Sequence, residues 1–191
     1  MTRSRLWFGA ALAFAVFLAI TAGYKDAPDR AILLWVDAMR APWLTRFAVI
    51  VTALGSNAMI AAVSALALII RLTLRDRTGA LQIPAASAGA WILMAIVKDL
   101  VQRQRPSVVP KLVEVSGFSY PSGHALLTAA TYLTIGLIVG RRAIFVALTA
   151  LVVIVGATRV YLGVHYPSDV AGGFSLGVAW ALFLAGLFNS R

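Results

Sequence analysis

An all-α integral membrane fold, a bundle of six transmembrane helices with one short amphipathic interfacial helix, follows from three features of the sequence. Hydrophobic residues make up 61% of the 191 and charged residues 13%, with a mean hydropathy of +0.88, where soluble domains run at about 45–50% apolar and about 25% charged. Six apolar segments are long enough for a hydrocarbon core that takes ~20 residues per helix. The connections between them are short and either polar or rich in Gly and Pro, so residues 1–191 are expected to form one domain.

The first span runs from Leu6 to Gly23 behind Arg3 and Arg5, and it lacks the cleavage pattern that would make it a removable signal segment. Tyr24 to Arg46 is too charged to span. There Ile32, Leu33, Trp35, Val36, Met39 and Trp43 alternate with Asp29, Asp37, Arg40 and Arg46, the pattern of an interfacial helix broken near Pro42. The second span, Leu44 to Ile70, is long enough to tilt, and its Ser56 and Asn57 are expected to hydrogen-bond across helices.

The third span covers Gly79 to Val97, with Pro84 expected in or near its first turns, where a missing N–H costs least. Lys98 to Tyr120 is the longest polar interval, and a loop of that length usually carries function. The fourth span, Ser122 to Gly140, takes Ser122 as N-cap and closes at Gly140. The fifth runs from Ala143 to Val160. The sixth starts at the capping pair Ser168 and Asp169 and continues to Phe188, with Gly173 and Gly177 spaced for close packing within the bundle.

The formal charge is +10. The basic residues are scattered through short loops instead of lining one amphipathic face, which argues against a nucleic-acid partner. They read as topology signals. One end of the spans holds Arg3, Arg5, Arg71, Arg75, Arg77, Arg141, Arg142 and Arg191 with Asp76, a net +7; the other holds nine basic and six acidic residues, a net +3. The raw counts of basic residues, eight and nine, are nearly equal, but three of the nine belong to the motifs below and four flank the amphipathic segment. The first end is therefore assigned to the cytoplasm. The sequence has no Cys and two His, which excludes disulfides and thiolate metal sites and leaves no basis for a histidine-rich zinc site. No cofactor, metal or obligatory protein partner is expected.

Three distant segments reach the end opposite the cytoplasmic one: Lys98 with Arg105 and Pro106; Pro121, Ser122, Gly123 and His124; and Arg159 with His165 and Asp169. A transferring phosphoryl group is stabilised by fixed cations and oriented N–H donors. Lys98, Arg105 and Arg159 supply the cations, while Ser122 and Gly123 at a helix start add a hydroxyl and backbone N–H groups. Either histidine could attack phosphorus or protonate the departing oxygen, since an ordinary imidazole titrates near ~6.5. Asp169, four residues after His165, can fix that ring's tautomer in the manner of a catalytic triad. His165 is accordingly expected to be the nucleophile and His124 the general acid. Arg103, Lys111 and Glu114 share the loop without fitting the pattern, and lipid headgroup contact is the alternative considered for them.

These residues resemble the three signatures of the type 2 phosphatidic acid phosphatase family, shared with bacterial acid phosphatases and vanadium haloperoxidases. Lys98, six residues, Arg105 and Pro106 match the first; Pro121 to His124 match the second; Arg159, His165 and Asp169 match the third, with Thr158 standing where the family has serine. The resemblance covers the chain from about the third span onward. It implies a metal-independent hydrolysis of phosphoric esters or diphosphates through a covalent phosphohistidine. It also implies kinship with the bacterial membrane enzymes that act on undecaprenyl pyrophosphate or phosphatidylglycerophosphate. The expected substrate is thus a lipid phosphate, met among membrane lipids at the outer face of a bacterial inner membrane. The alternatives are transfer of the phosphate to another lipid such as lipid A, or a lipid or ion transporter. Transport is the weaker one, because transporters tend toward repeats and broken mid-membrane helices.

Overall fold

A computed structural model describes residues 2–188. Eight α-helices follow one another among these residues: α1 (Arg3–Gly23), α2 (Asp26–Ala38), α3 (Pro42–Thr52), α4 (Asn57–Thr73), α5 (Arg77–Val101), α6 (Gly123–Val139), α7 (Arg142–Tyr161) and α8 (Pro167–Phe188), with a single 3-10 turn at Ala53–Gly55. Helices α1, α5, α7 and α8 are each long and apolar enough to cross a bilayer, and α3 and α4 pass the same test only as a pair bent by 50°. Helix α6 is a shorter apolar helix of 17 residues. This departs from six uniform spans, and the cause lies in the second expected span. Ser56 turns its hydroxyl to the Met59 N–H and caps α4 at the break, so it serves its own helix instead of bonding across to another.

Helix α6 occupies the centre, packed against α4, α5, α7 and α8. Its sequence is apolar around the whole circumference, as a helix without a solvent face should be. Close approach to α8 depends on glycine: a Cβ on Gly173 would sit 2.6 Å from the Ser122 carbonyl oxygen, and one on Gly177 2.6 Å from that of Leu126. Overpacking such a contact costs about 1–3 kcal/mol. Gly140, at φ 70°, closes α6 in the left-handed conformation. Helix α1 flanks α8, and its outward residues Phe8, Leu12 and Leu18 are exposed together with Ile69 of α4, Ile92 of α5 and Val146 of α7, an apolar belt suited to acyl chains.

Pro84 falls within α5, not at its start. Asp76 caps that helix two residues earlier than expected by accepting the Gly79 N–H at 2.9 Å. The amphipathic stretch forms two helices, α2 and α3, with Pro42 opening the second. Helix α2 buries Asp29 and Leu33 while exposing Ile32, Leu34 and Trp35. Helix α3 packs Ala48 against Tyr161 at the end of α7 and Leu162 and Val164 just beyond it, with Leu112, Val113 and Val115 of the polar loop alongside. At the same end Tyr120 is fully buried, stacked between Phe17 and Tyr24, with its hydroxyl 2.6 Å from that of Thr21.

Candidate active site

Helix α5 carries Lys98 in its last turn and stops at Gln102, whose φ of 49° turns the chain into the loop before α6. Several backbone groups then bind this loop to the bundle end. Ser119 N–H donates to the Arg103 carbonyl at 2.7 Å, Leu112 N–H to that of Leu162 at 3.0 Å, and Ser122 N–H to that of Asp169 at 2.9 Å. The last of these joins the start of α6 directly to the start of α8. Arg105 donates from Nε and Nη2 to the carbonyls of Gly117 and Ser116, and from Nη1 to that of Val164, each at 2.9 Å. Lys98 Nζ donates to the Phe118 carbonyl.

His165 stands at the centre of this arrangement and is almost wholly buried. Its Nδ1 lies 3.4 Å from Asp169 Oδ2 and 3.3 Å from Ser119 Oγ, while its Nε2 lies 3.2 Å from Arg105 Nη1. Ser119 and the Tyr166 N–H also donate to Asp169 Oδ2. A proton on Nδ1 satisfies this network, because the carboxylate and serine oxygens accept it and Nε2 is left with a lone pair. Burial lowers the His165 pKa to about 4, with Arg105 and Arg159 acting in the same sense and Asp169 opposing them. The ring is therefore neutral at neutral pH.

His124 is the second residue of α6, near enough to Arg159, His165 and Arg105 for their charges to act on it. Arg159, in the last turn of α7, is buried and donates from Nη1 to Thr52 Oγ1 at 2.7 Å. Lys98 lies within the fields of Arg105 and Asp169. Lys98, Arg105, Ser122, Gly123, His124, Arg159, His165 and Asp169 thus converge at one end of the bundle.

Ser122 occupies the N-cap position of α6, but its hydroxyl makes no capping bond. Among the described residues Ser122 Oγ and Arg159 Nε are buried without a hydrogen-bond partner. Buried polar atoms are nearly always paired, and of the three without a partner among the described residues, Ser122 Oγ and Arg159 Nε lie at the end of the bundle that carries the two histidines, while Thr134 Oγ1 lies within α6. Ser168 does not cap α8 on its own either: its N–H and hydroxyl both go to Asp29 of α2.

Sequence reasoning missed four contributors. Ser119 touches both His165 and Asp169, and Thr52 holds Arg159. Gly55 lies so close that a Cβ there would be 2.9 Å from His124 Cδ2 and 2.8 Å from Val155 Cγ1. Arg103 is buried among Asp26, Asp29, Ser168 and Asp169 instead of facing lipid headgroups. No local pattern marks these residues.

A profile of the PAP2 superfamily matches residues 79–191, more than half of the chain. Phosphatidylglycerophosphatase B of Bacillus subtilis is 29% identical over 178 residues, which cover 86% of this chain and 87% of that protein. The crystal structure of a transmembrane PAP2 type phosphatidylglycerolphosphate phosphatase from Bacillus subtilis superposes with a TM-score of 0.85 at 28% identity, covering 94% of each chain. Decaprenylphosphoryl-5-phosphoribose phosphatase of Mycobacterium tuberculosis is 43% identical over 98 residues, covering 48% of this chain and 53% of that one.

Proposed function

The chain belongs to the PAP2 superfamily, and from that premise we propose that it hydrolyses the phosphate headgroup of a membrane lipid through a phosphohistidine on His165. The observation that carries this reading is the polarisation of one imidazole. Asp169 and Ser119 hold the Nδ1 side, while Nε2 faces Arg105, and Ser122 Oγ and Arg159 Nε are buried without partners at the same end of the bundle.

In the first step Nε2 of neutral His165 attacks phosphorus and the bond from phosphorus to the lipid oxygen breaks. Its electron pair stays on the departing oxygen, which takes a proton from His124. The dianionic headgroup favours the imidazolium form of His124 that this step needs. Asp169 stabilises the positive charge that grows on His165. Lys98, Arg105 and Arg159, with Ser122 Oγ and the N–H groups opening α6, neutralise the equatorial oxygens. In the second step His124 takes a proton from water, the water oxygen attacks phosphorus, and the P–N bond breaks. Inorganic phosphate leaves and His165 is restored. No metal takes part in this scheme.

The bent pair α3–α4 counted as one crossing and α6 as another give six crossings, with α2 lying at the interface and the site on the outer face of a bacterial inner membrane. The positive excess at the far end supports this orientation. Phosphatidylglycerophosphate and undecaprenyl pyrophosphate are the proposed substrates, of which the relative covering most of the chain favours the first. Phosphate release from a panel of lipid mono- and diphosphates by the purified enzyme, with chelator present, tests the reading. The account expects release that His165→Ala abolishes. Undiminished release by that variant would contradict the assigned nucleophile, and phosphate appearing on a second lipid would replace hydrolysis with transfer.

A further inference from the structure

Asp169 presents two differently used oxygens. Oδ2 receives Ser119, the Tyr166 N–H and His165. Oδ1 receives Arg103 Nη1 at 2.7 Å, and the same nitrogen donates to Ser168 Oγ at 2.7 Å. Arg103 Nη2 turns the other way, to Asp29 Oδ2 at 2.8 Å and Asp26 Oδ1 at 3.1 Å on α2. The guanidinium lies between the rings of Tyr24 and Tyr166, 4.0 and 4.1 Å from their centroids. Its partners lie 66, 74 and 77 residues away in the chain, so one side chain joins the loop, α2 and α8. Asp29 completes the joint by accepting both the N–H and the hydroxyl of Ser168.

We infer that Arg103 is a positioning residue for the reaction, fixing Asp169 behind His165 and tethering it through Asp29 to the amphipathic helix α2. Only an arginine fits this place, since its planar fork reaches carboxylates on two elements while both faces stack on tyrosines. Burial opposes the charge of Arg103, but the hydrogen bonds and charges of Asp29, Asp169 and Asp26 outweigh it and push its pKa further up. The cation is thus permanent. It offsets part of the Asp169 field at the nucleophile.

This has a directional consequence. The groups acting on His165 are Asp169 on α8, Arg159 on α7, His124 on α6, and Arg105 and Ser119 in the loop, while Arg103 in the loop and Lys98 on α5 act on Asp169. Asp26 and Asp29 on α2 act through Arg103. If the guanidinium charge is lost, Asp169 acts on the imidazole less opposed, which favours imidazolium. Because attack needs the neutral ring, the acid limb of kcat/KM moves to higher pH. If Asp29 loses its charge, Arg103 offsets Asp169 more fully and the limb moves to lower pH.

The inference rests on His165 being the nucleophile, and the test separates the two claims. Phosphate release from one lipid monophosphate is followed against pH for the wild type, Arg103→Gln, Arg103→Lys and Asp29→Asn in lipid nanodiscs. After correction for the second ionisation of the substrate phosphate, near pH ~6, the wild-type acid limb reports His165, whose pKa burial lowers. Arg103→Gln should raise it by about one unit with a fall in kcat. Arg103→Lys should lower kcat and leave the limb in place, because it keeps the charge and loses the fork. Asp29→Asn should move the limb downward. If Arg103→Gln does not accumulate as folded protein, the downward shift in Asp29→Asn carries the test alone. An unmoved limb in the charge-removing variants that fold, or wild-type kcat in Arg103→Lys, overturns the inference. Activity surviving in His165→Ala would overturn the nucleophile itself, whatever Arg103 does.

Discussion

On the α2 side of Asp169, both terminal nitrogens of Arg103 are doubly engaged and each face of the guanidinium meets a tyrosine ring. On the α6 side, Ser122 Oγ and Arg159 Nε are buried with no partner among the described residues. Both regions contain a buried arginine and a serine at the same end of the bundle, yet one is saturated and the other is not. A saturated buried network rigidifies what it holds, whereas unmet donors are costly unless something else completes them. The contrast is the one expected between positioning and binding: the α2 side holds Asp169 still, and the α6 side is the one proposed to receive the phosphate.

Removing charge from the unsaturated side should cost the most activity. Arg159→Leu is expected to lower kcat/KM by about 10²–10³-fold, the usual loss when a fixed transition-state partner is deleted; phosphate release by the folded variant measures it. A fall no greater than threefold would mean that Arg159 serves only Thr52. Gly55→Ala forces a methyl group against His124 and Val155, and a displacement of that kind should lower kcat by about 10–100-fold with little change in KM. Ser122→Ala should lower kcat/KM by about tenfold while leaving Tm unchanged or higher, because it removes a buried hydroxyl that makes no bond. A Tm drop in that variant would show a hidden structural partner and erase the difference between the two regions. Thr158→Ser should change activity by less than about twofold, since the Thr158 hydroxyl donates to the Val155 carbonyl within α7 at 2.6 Å and serine keeps that bond.

The elements written in long apolar runs were legible in the sequence. The span from Leu6 to Gly23, the Gly140 stop and the Gly173–Gly177 packing face all depend on neighbours within a few turns. The same holds for His165 and Asp169, whose four-residue separation places both on one short loop and helix start. The bend at residues 53–56 was not legible, because Ala53, Leu54 and Gly55 are as apolar as the helices they separate and a hydropathy window reads straight through them. Nor was Arg103, which looks like any loop cation until α2 folds back over it. Thr52 and Arg159, 107 residues apart, carry no mutual signal at all. The motif residues could be named in advance because their spacing within each segment is local, while the supports that hold those groups come from long-range packing.

Rapid acid-free quenching of the enzyme during turnover of a lipid labelled in its phosphate asks most directly whether His165 becomes phosphorylated. The account predicts protein-bound label with the acid-labile, base-stable chemistry of a phosphoramidate, present in the wild type and absent in His165→Ala. Label persisting at another residue in His165→Ala, with phosphate still released, would contradict it.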